Sequence, residues 1–172
     1  AVALVPAIFV AINITDTAFL DSGANWRAYT PTDQSYTIDF PGNPNETVQS
    51  VPSVFGDVNA HLIEVQTRSS PFLLITAKLG RLNFSAGARG SAAAGLVKAR
   101  AVAFNATVVN DELIDMVGEP DRAMTLAVRS ADDVIWYRLL FTDDAVFELI
   151  VGAETLLGFV DANRFFDSFE LR

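Results

Sequence analysis

The feature of this sequence that most constrains its fold is a series of short apolar segments joined by very short connections. Residues that are typical of turns (Gly, Pro or paired Asp) separate these segments. Connections of about three to five residues are too short for a crossover helix, so successive strands must be antiparallel neighbours. In the second half of the chain the pattern predicts strands over Thr107–Val117, Ala123–Arg129, Val134–Phe141 and Ala145–Val151.

A similar pattern occurs earlier in the chain. It predicts strands over Ser35–Phe40, Glu46–Phe55, Ala60–Thr67 and Phe72–Leu79. Pro52 weakens the second of these, because proline cannot donate a hydrogen bond to a strand ladder.

Two segments have helical spacing instead. The Ala-rich segment predicts a helix over Ser91–Phe104, and the C-terminal segment Glu154–Phe169 predicts a second one. In the second helix an apolar stripe is expected to pack on the sheet, formed by Leu157, Val160, Phe165, Phe166 and Phe169. The sequence therefore predicts an α+β fold, with an antiparallel sheet of about seven to eight strands flanked by two main helices.

The first fourteen residues are apolar except for Asn13 and differ from the rest of the chain. This run is shorter than the ~20 residues that a helical membrane span needs. Three interpretations remain open: a truncated or interfacial membrane anchor, the remnant of a signal peptide, or a buried element of the domain. We favour an anchor, with Trp26 as an additional contact at the membrane interface. The predicted anchoring residues are Val2, Leu4, Val5, Ile8, Phe9, Val10, Ile12 and Trp26. The predicted division is an anchoring segment over residues 1–15, a linker over 16–25 and an α+β domain over 26–172.

Charge and composition exclude several classes of function. The net charge of −9 repels nucleic acid. The absence of cysteine excludes thiolate zinc sites, iron–sulfur clusters and thiol nucleophiles. His61 is the single histidine, and it lies in an alternating strand with no serine elbow in the sequence, so it is expected to be an ordinary strand residue. We assign no catalytic, cofactor-binding or metal-binding residue.

Three patches resemble a bacterial envelope family with the PsbP-like fold of photosystem extrinsic proteins. They are the strand end YTIDFPGNP at Tyr36–Pro44, the turn MVGEPDRAMTL at Met116–Leu126 and the helix ANRFFDSFEL at Ala162–Leu171. The resemblance covers residues 26–172 and implies an antiparallel sheet flanked by helices. It implies no catalytic residue, and we interpret the three patches as determinants of the fold.

These observations predict a non-enzymatic accessory subunit on the extracytoplasmic, periplasmic side of a membrane. Its partners would be the subunits of a membrane protein complex, of which a photosynthetic complex is one example, and it would contact the membrane through the N-terminal segment. The alternative is a periplasmic module that binds a small hydrophobic ligand in a pocket lined by Phe72, Leu74, Trp136 and Leu140. A hydrolase that uses carboxylates is a third hypothesis, for which the spacing of the acidic residues offers no support.

Overall fold

A computed structural model describes residues 25–53, 56–67, 70–80, 86–103, 107–115, 122–129, 134–142, 144–153 and 157–172. The predicted anchoring segment lies outside these residues, together with Val2, Leu4, Val5, Ile8, Phe9, Val10 and Ile12. The described elements are β1 (Arg27–Tyr29), β2 (Tyr36–Phe40), β3 (Asn45–Ser53), β4 (Gly56–Gln66), β5 (Pro71–Lys78), α1 (Ala86–Ala103), β6 (Thr107–Asp115), β7 (Arg122–Arg129), β8 (Val134–Phe141), β9 (Ala145–Ala153), α2 (Leu157–Asp167) and β10 (Glu170–Leu171).

The strands form two antiparallel sheets. The larger one has seven strands in the order β3-β4-β5-β9-β8-β7-β6, and the smaller one has three strands in the order β1-β2-β10. The predicted α+β class, the antiparallel pairing and the two main helices are confirmed. The meander of the second half is also confirmed, and its last strand, β9, pairs with β5 in the first half. This long-range pairing joins the two halves of the chain into one sheet.

One face of the large sheet is covered by α1. Alternate residues of the central strands point to this face, and among them Ile75, Leu139 and Ile150 are buried. Leu96 and Val97 of α1 pack in the same cluster.

The opposite face is covered by α2 and the small sheet. Tyr36, Ile38 and Phe40 alternate along β2 and are all buried, together with Phe165 and Phe166 of α2. Trp136 and Tyr137 are adjacent on β8, and they join the clusters on opposite faces of the sheet, as expected from the alternation.

The predicted apolar stripe of α2 is wrong at Val160, which is 67% exposed. At 3.6 residues per turn, Ala162, Phe165 and Phe166 lie within about 50° of one direction, and Val160 points the opposite way. The three buried residues therefore define the packing face, and Val160 faces solvent. None of the described helices combines the length and apolar character needed to cross a bilayer.

Candidate docking groove

Part of the α2-side face of the large sheet is left open. Along β4, Ile63 and Val65 are buried beneath α2 and the small sheet, whereas Asp57, Asn59 and His61 on the same face are exposed. The strand period of two residues places all five on one face. The face therefore changes along one strand from a packed apolar surface to an open polar one.

Two cavities lie side by side at this open end. The first has a volume of about 510 Å³ and is lined by Pro31, Tyr36, Asp57, Val58, Asn59, His61, Thr76, Lys78, Leu79 and Gly80. The second has a volume of about 370 Å³ and is lined by Ser35, Thr76, Lys78, Thr142, Asp144, Ala145, Phe147, Leu171 and Arg172. Thr76 and Lys78 line both cavities, and we call the two neighbouring cavities together the docking groove.

The end of β5 is held in place at the centre of this groove. Leu79 N–H donates to the carbonyl oxygen of Asp144 at 2.7 Å, which ties β5 to the turn before β9. Gly80 then has a φ of +74°, a conformation that favours glycine because it has no Cβ.

The loop between β1 and β2 is pinned over the groove by Asp33. Its carboxylate accepts a hydrogen bond from Lys78 Nζ and another from Ser35 Oγ, the latter at 2.8 Å. These contacts, first the one from Lys78 and then the one from Ser35, lower the pKa of Asp33 to about 2. The same pairing raises the pKa of Lys78 above its ordinary value.

A second polar cluster ties the small sheet to the edge of the large sheet. Tyr29 Oη donates to Glu46 Oε2 at 2.7 Å, and His61 Nδ1 lies 2.8 Å from Glu46 Oε1. Burial, followed by the hydrogen bond to Glu46, raises the pKa of Tyr29 far above its ordinary value. The contact with His61 and then that with Tyr29 lower the pKa of Glu46. His61 thus takes part in a contact between elements.

Catalytic and metal sites usually need several converging side chains. In the described ranges, no group of three or more His, Cys, Asp or Glu side chains is arranged to hold a metal ion. The residues that surround the docking groove are instead spread along it, and they can offer hydrogen bonds and charges to a long, shallow partner surface.

A buried ion pair on the α1 side of the large sheet was not predicted from the sequence. Arg100 of α1 donates to Glu148 of β9 through Nε at 2.7 Å and through Nη2 at 2.9 Å, and Tyr137 Oη donates to the same carboxylate at 2.8 Å. The side chains of Arg100 and Glu148 are 5% and 1% exposed. Burial opposes the charge of Arg100, but the hydrogen bonds and charge of Glu148 outweigh it and raise the pKa of Arg100. Burial, and then the charge of Glu148, raise the pKa of Tyr137 well above its ordinary value.

Sequence patterns offered little to identify this pair, because Glu148 lies in the apolar strand AVFELIV and Arg100 in an Ala-rich helix. A single charged residue within a strand that is apolar on both sides is the one available signal. The pair lies on the far side of the sheet from the docking groove and fixes α1 to β9.

Trp26 is the one predicted anchoring residue that the structure describes. Its ring meets the edge of Phe72 at 5.7 Å, and the Arg164 guanidinium lies over it at 4.5 Å. It is half-buried, so the start of the predicted domain packs beside α2.

The residues of the alternative hydrophobic pocket lie within packed apolar surroundings. Phe72, Leu74 and Leu140 are buried in the cluster that includes the rings of α2, and Trp136 is half-buried against it. These four residues line neither cavity of the docking groove.

Two of three comparisons with known proteins gave no match: no protein-family model matches this chain, and no curated protein does. Among solved structures, the chain is similar to the solution structure of cyanobacterial PsbP (CyanoP) from Synechocystis sp. PCC 6803. The TM-score is 0.63 at 11% sequence identity, and the match covers 92% of this chain and 99% of the other. The chain therefore has a PsbP-like fold.

Proposed function

We propose that this chain is a non-enzymatic accessory subunit that docks on a membrane protein complex at the extracytoplasmic side and stabilises the assembly. The PsbP-like fold is the observation that carries this proposal, and a photosynthetic complex is the example that it suggests. The open polar docking groove supports it, because a shallow surface of distributed hydrogen-bonding groups suits a protein partner better than a reaction centre.

The N-terminal segment would supply the second contact. Its apolar residues, from Val2 to Ile12, would lie in the membrane or against an apolar surface of the complex. Tethering raises the effective concentration of the domain at its docking surface, so that a weak polar interface suffices.

The packing of Trp26 indicates where the N-terminal segment would leave the domain. Because Trp26 packs on Phe72 and beneath Arg164, the chain would leave the domain beside α2. A tryptophan at this boundary fits the preference of indole rings for membrane interfaces. In this proposal, the α2 side of the domain faces the membrane or the complex.

Deletion of residues 1–14 tests the tether. The truncated chain should appear in the soluble fraction and should no longer co-purify with the membrane complex, whereas the full chain should sediment with membranes. A Trp26→Ala variant should weaken the association less than the deletion, because it removes one contact and leaves the apolar segment. Co-purification of the truncated chain at full yield would refute the tether, and membrane association unchanged by Trp26→Ala would refute the role of that ring.

A further inference from the structure

Two buried hydroxyl groups lie at the wall of the first cavity. Tyr36 is 3% exposed and Thr76 is 9% exposed, and both line this cavity. Within the part of the chain that the structure describes, neither hydroxyl donates or accepts a hydrogen bond. In native structures the large majority of buried polar side-chain atoms have a partner. The two hydroxyls therefore indicate a polar occupant of the first cavity.

Strand register and ring packing fix both side chains. Thr76 lies opposite His61 on β4, so the two side chains point to the same open face of the sheet. The Tyr36 ring stacks on Phe169 at 5.6 Å between centroids and meets Phe147 at 5.5 Å. Because these contacts hold the ring in place, a ligand need not order the Tyr36 side chain, which lowers the entropic cost of binding.

The surroundings of the Tyr36 hydroxyl place it toward the groove. Burial, followed by the charges of Tyr29 and Glu46, raises the pKa of Tyr36. Tyr29 and Glu46 form the polar cluster with His61, which lines the first cavity. The Tyr36 hydroxyl thus lies toward these polar groups and keeps its proton, so it can both donate and accept a hydrogen bond.

The cationic groups at the first cavity already have acidic partners. Lys78 Nζ contacts Asp33, and the His61 ring lies beside Glu46. Asp57 adds an exposed carboxylate to the lining. A cationic ligand would meet Lys78, and an anionic one would meet Asp57. A neutral ligand avoids bringing an unpaired charge into this cavity.

We propose that the first cavity binds a neutral, hydroxyl-rich small molecule of the size of a single sugar ring, through the hydroxyls of Tyr36 and Thr76. Sugar hydroxyls both donate and accept, as these two groups do, and the Asn59 amide and the His61 ring add further polar groups to the lining. The volume of about 510 Å³ lies within the range of small-molecule sites. Such a site goes beyond the proposed function, since the second cavity would remain available to a protein partner.

The test uses the full chain in detergent micelles whose head groups contain no sugar. Glucose and inositol are the neutral probes, and glucuronate and glucosamine are charged probes of similar size. In NMR titrations at neutral pH, a neutral probe should shift the backbone amide signals of Tyr36, Thr76 and Asn59 in a saturable way. The charged probes should bind more weakly, because each brings an unpaired charge to the cavity.

Tyr36→Phe and Thr76→Val each keep the shape of the side chain and remove its hydroxyl. Each should weaken binding of the neutral probe about three- to tenfold, the equivalent of one hydrogen bond. Thr47→Val is the matched control, since Thr47 is exposed on β3 and lies opposite Leu62, on the α1 side of the large sheet. It should change the affinity less than about twofold, as a surface change away from the cavity.

A stability measurement separates a binding role of the two hydroxyls from a structural one. Because neither has a partner among the described residues, Tyr36→Phe and Thr76→Val should leave the midpoint of urea denaturation unchanged or raise it. A lower midpoint, no saturable shift with either neutral probe, tighter binding of a charged probe, or an unchanged affinity in both variants would overturn the proposal. Binding is measured on the purified chain, so its outcome does not depend on docking at a membrane complex.

Discussion

At the scale of single residues, the buried pair of Arg100 and Glu148 has a large consequence for stability. Both charges have left water almost completely, and their two hydrogen bonds with each other, together with the one from Tyr137, compensate for that transfer. Removing one partner leaves the other charge buried and alone. The pair fixes α1 against β9, because Arg100 must lie within hydrogen-bonding distance of Glu148.

Glu148→Gln should lower the free energy of unfolding by about 3–5 kcal/mol, because it leaves the Arg100 guanidinium without a counter-charge in the core. Urea denaturation followed by circular dichroism measures this loss. The variant Arg100→Met/Glu148→Leu/Tyr137→Phe removes all three polar groups and should recover most of the stability. A single change that costs less than about 1 kcal/mol would mean that water reaches the pair.

The pairing of Asp33 with Lys78 should make stability depend on pH. The pKa of Asp33 is about 2 in the folded chain and 3.8 without these contacts, so the folded state favours the carboxylate. The stabilisation is therefore present above pH 3.8 and is lost as the pH falls through about 2. Its size should be small, since both side chains are well exposed.

Carbon-detected NMR of the Asp33 carboxyl should give its titration midpoint directly. Lys78→Met should move the midpoint upward, toward the ordinary value for aspartate. A midpoint that stays low in this variant would show that the hydrogen bond from Ser35, and not Lys78, has the main influence.

At the scale of elements, α2 is positioned by aromatic rings on one of its faces. Phe165 is fully buried and lies 5.2 Å from Phe40, 5.5 Å from Phe72 and 5.9 Å from Phe166 between ring centroids. Just beyond the end of the helix, Ser168 Oγ accepts a hydrogen bond from Asp39 N–H at 2.9 Å. The helix is thus fixed both to the large sheet and to β2.

Phe165→Ala should cost about 3–5 kcal/mol of unfolding free energy, because it leaves a cavity between three rings. Val160→Ala on the exposed side of the same helix is the control, and it should change stability by less than about 0.5 kcal/mol. Urea denaturation of both variants gives the comparison. A cost at Phe165 as small as that at Val160 would mean that the Phe165 ring does not hold α2 on the sheet, since alanine raises helix propensity at both positions.

The type and order of the longer helices and strands were predicted better than the residues at which they begin and end. β8 has the predicted bounds, whereas α1 begins at Ala86, ahead of the predicted Ser91. β1 and β10 were not predicted, since strands of three and two residues are too short to show an alternating pattern. They form through pairing with β2, which is a tertiary contact.

At the scale of the whole molecule, the described residues form two apolar clusters around the large sheet. Both clusters are formed by residues from Trp26 onward, on the two faces of one sheet. The predicted division between an anchoring segment and a domain that begins near Trp26 stays a prediction, which truncation of the chain tests.

On the predicted division, the chain without residues 1–14 should unfold cooperatively, at a temperature within about 2 °C of the full chain. Differential scanning calorimetry of both proteins in the same detergent provides the measurement. A fall of about 5 °C or more, or a broadened transition, would instead place the apolar segment in the core of the domain.

The sequence by itself determined the α+β class, the antiparallel strands and the two main helices, because alternation, helical spacing and turn residues act over short stretches of chain. Three features depended on the tertiary structure: the pairing of β5 with β9, the buried contact of Arg100 with Glu148, and the two cavities that share Thr76 and Lys78. Each joins residues that are distant in the sequence, and no local pattern records which distant segments will meet. The candidate site could therefore not be predicted from the sequence. Its residues nevertheless lie in or beside elements that local patterns helped to define.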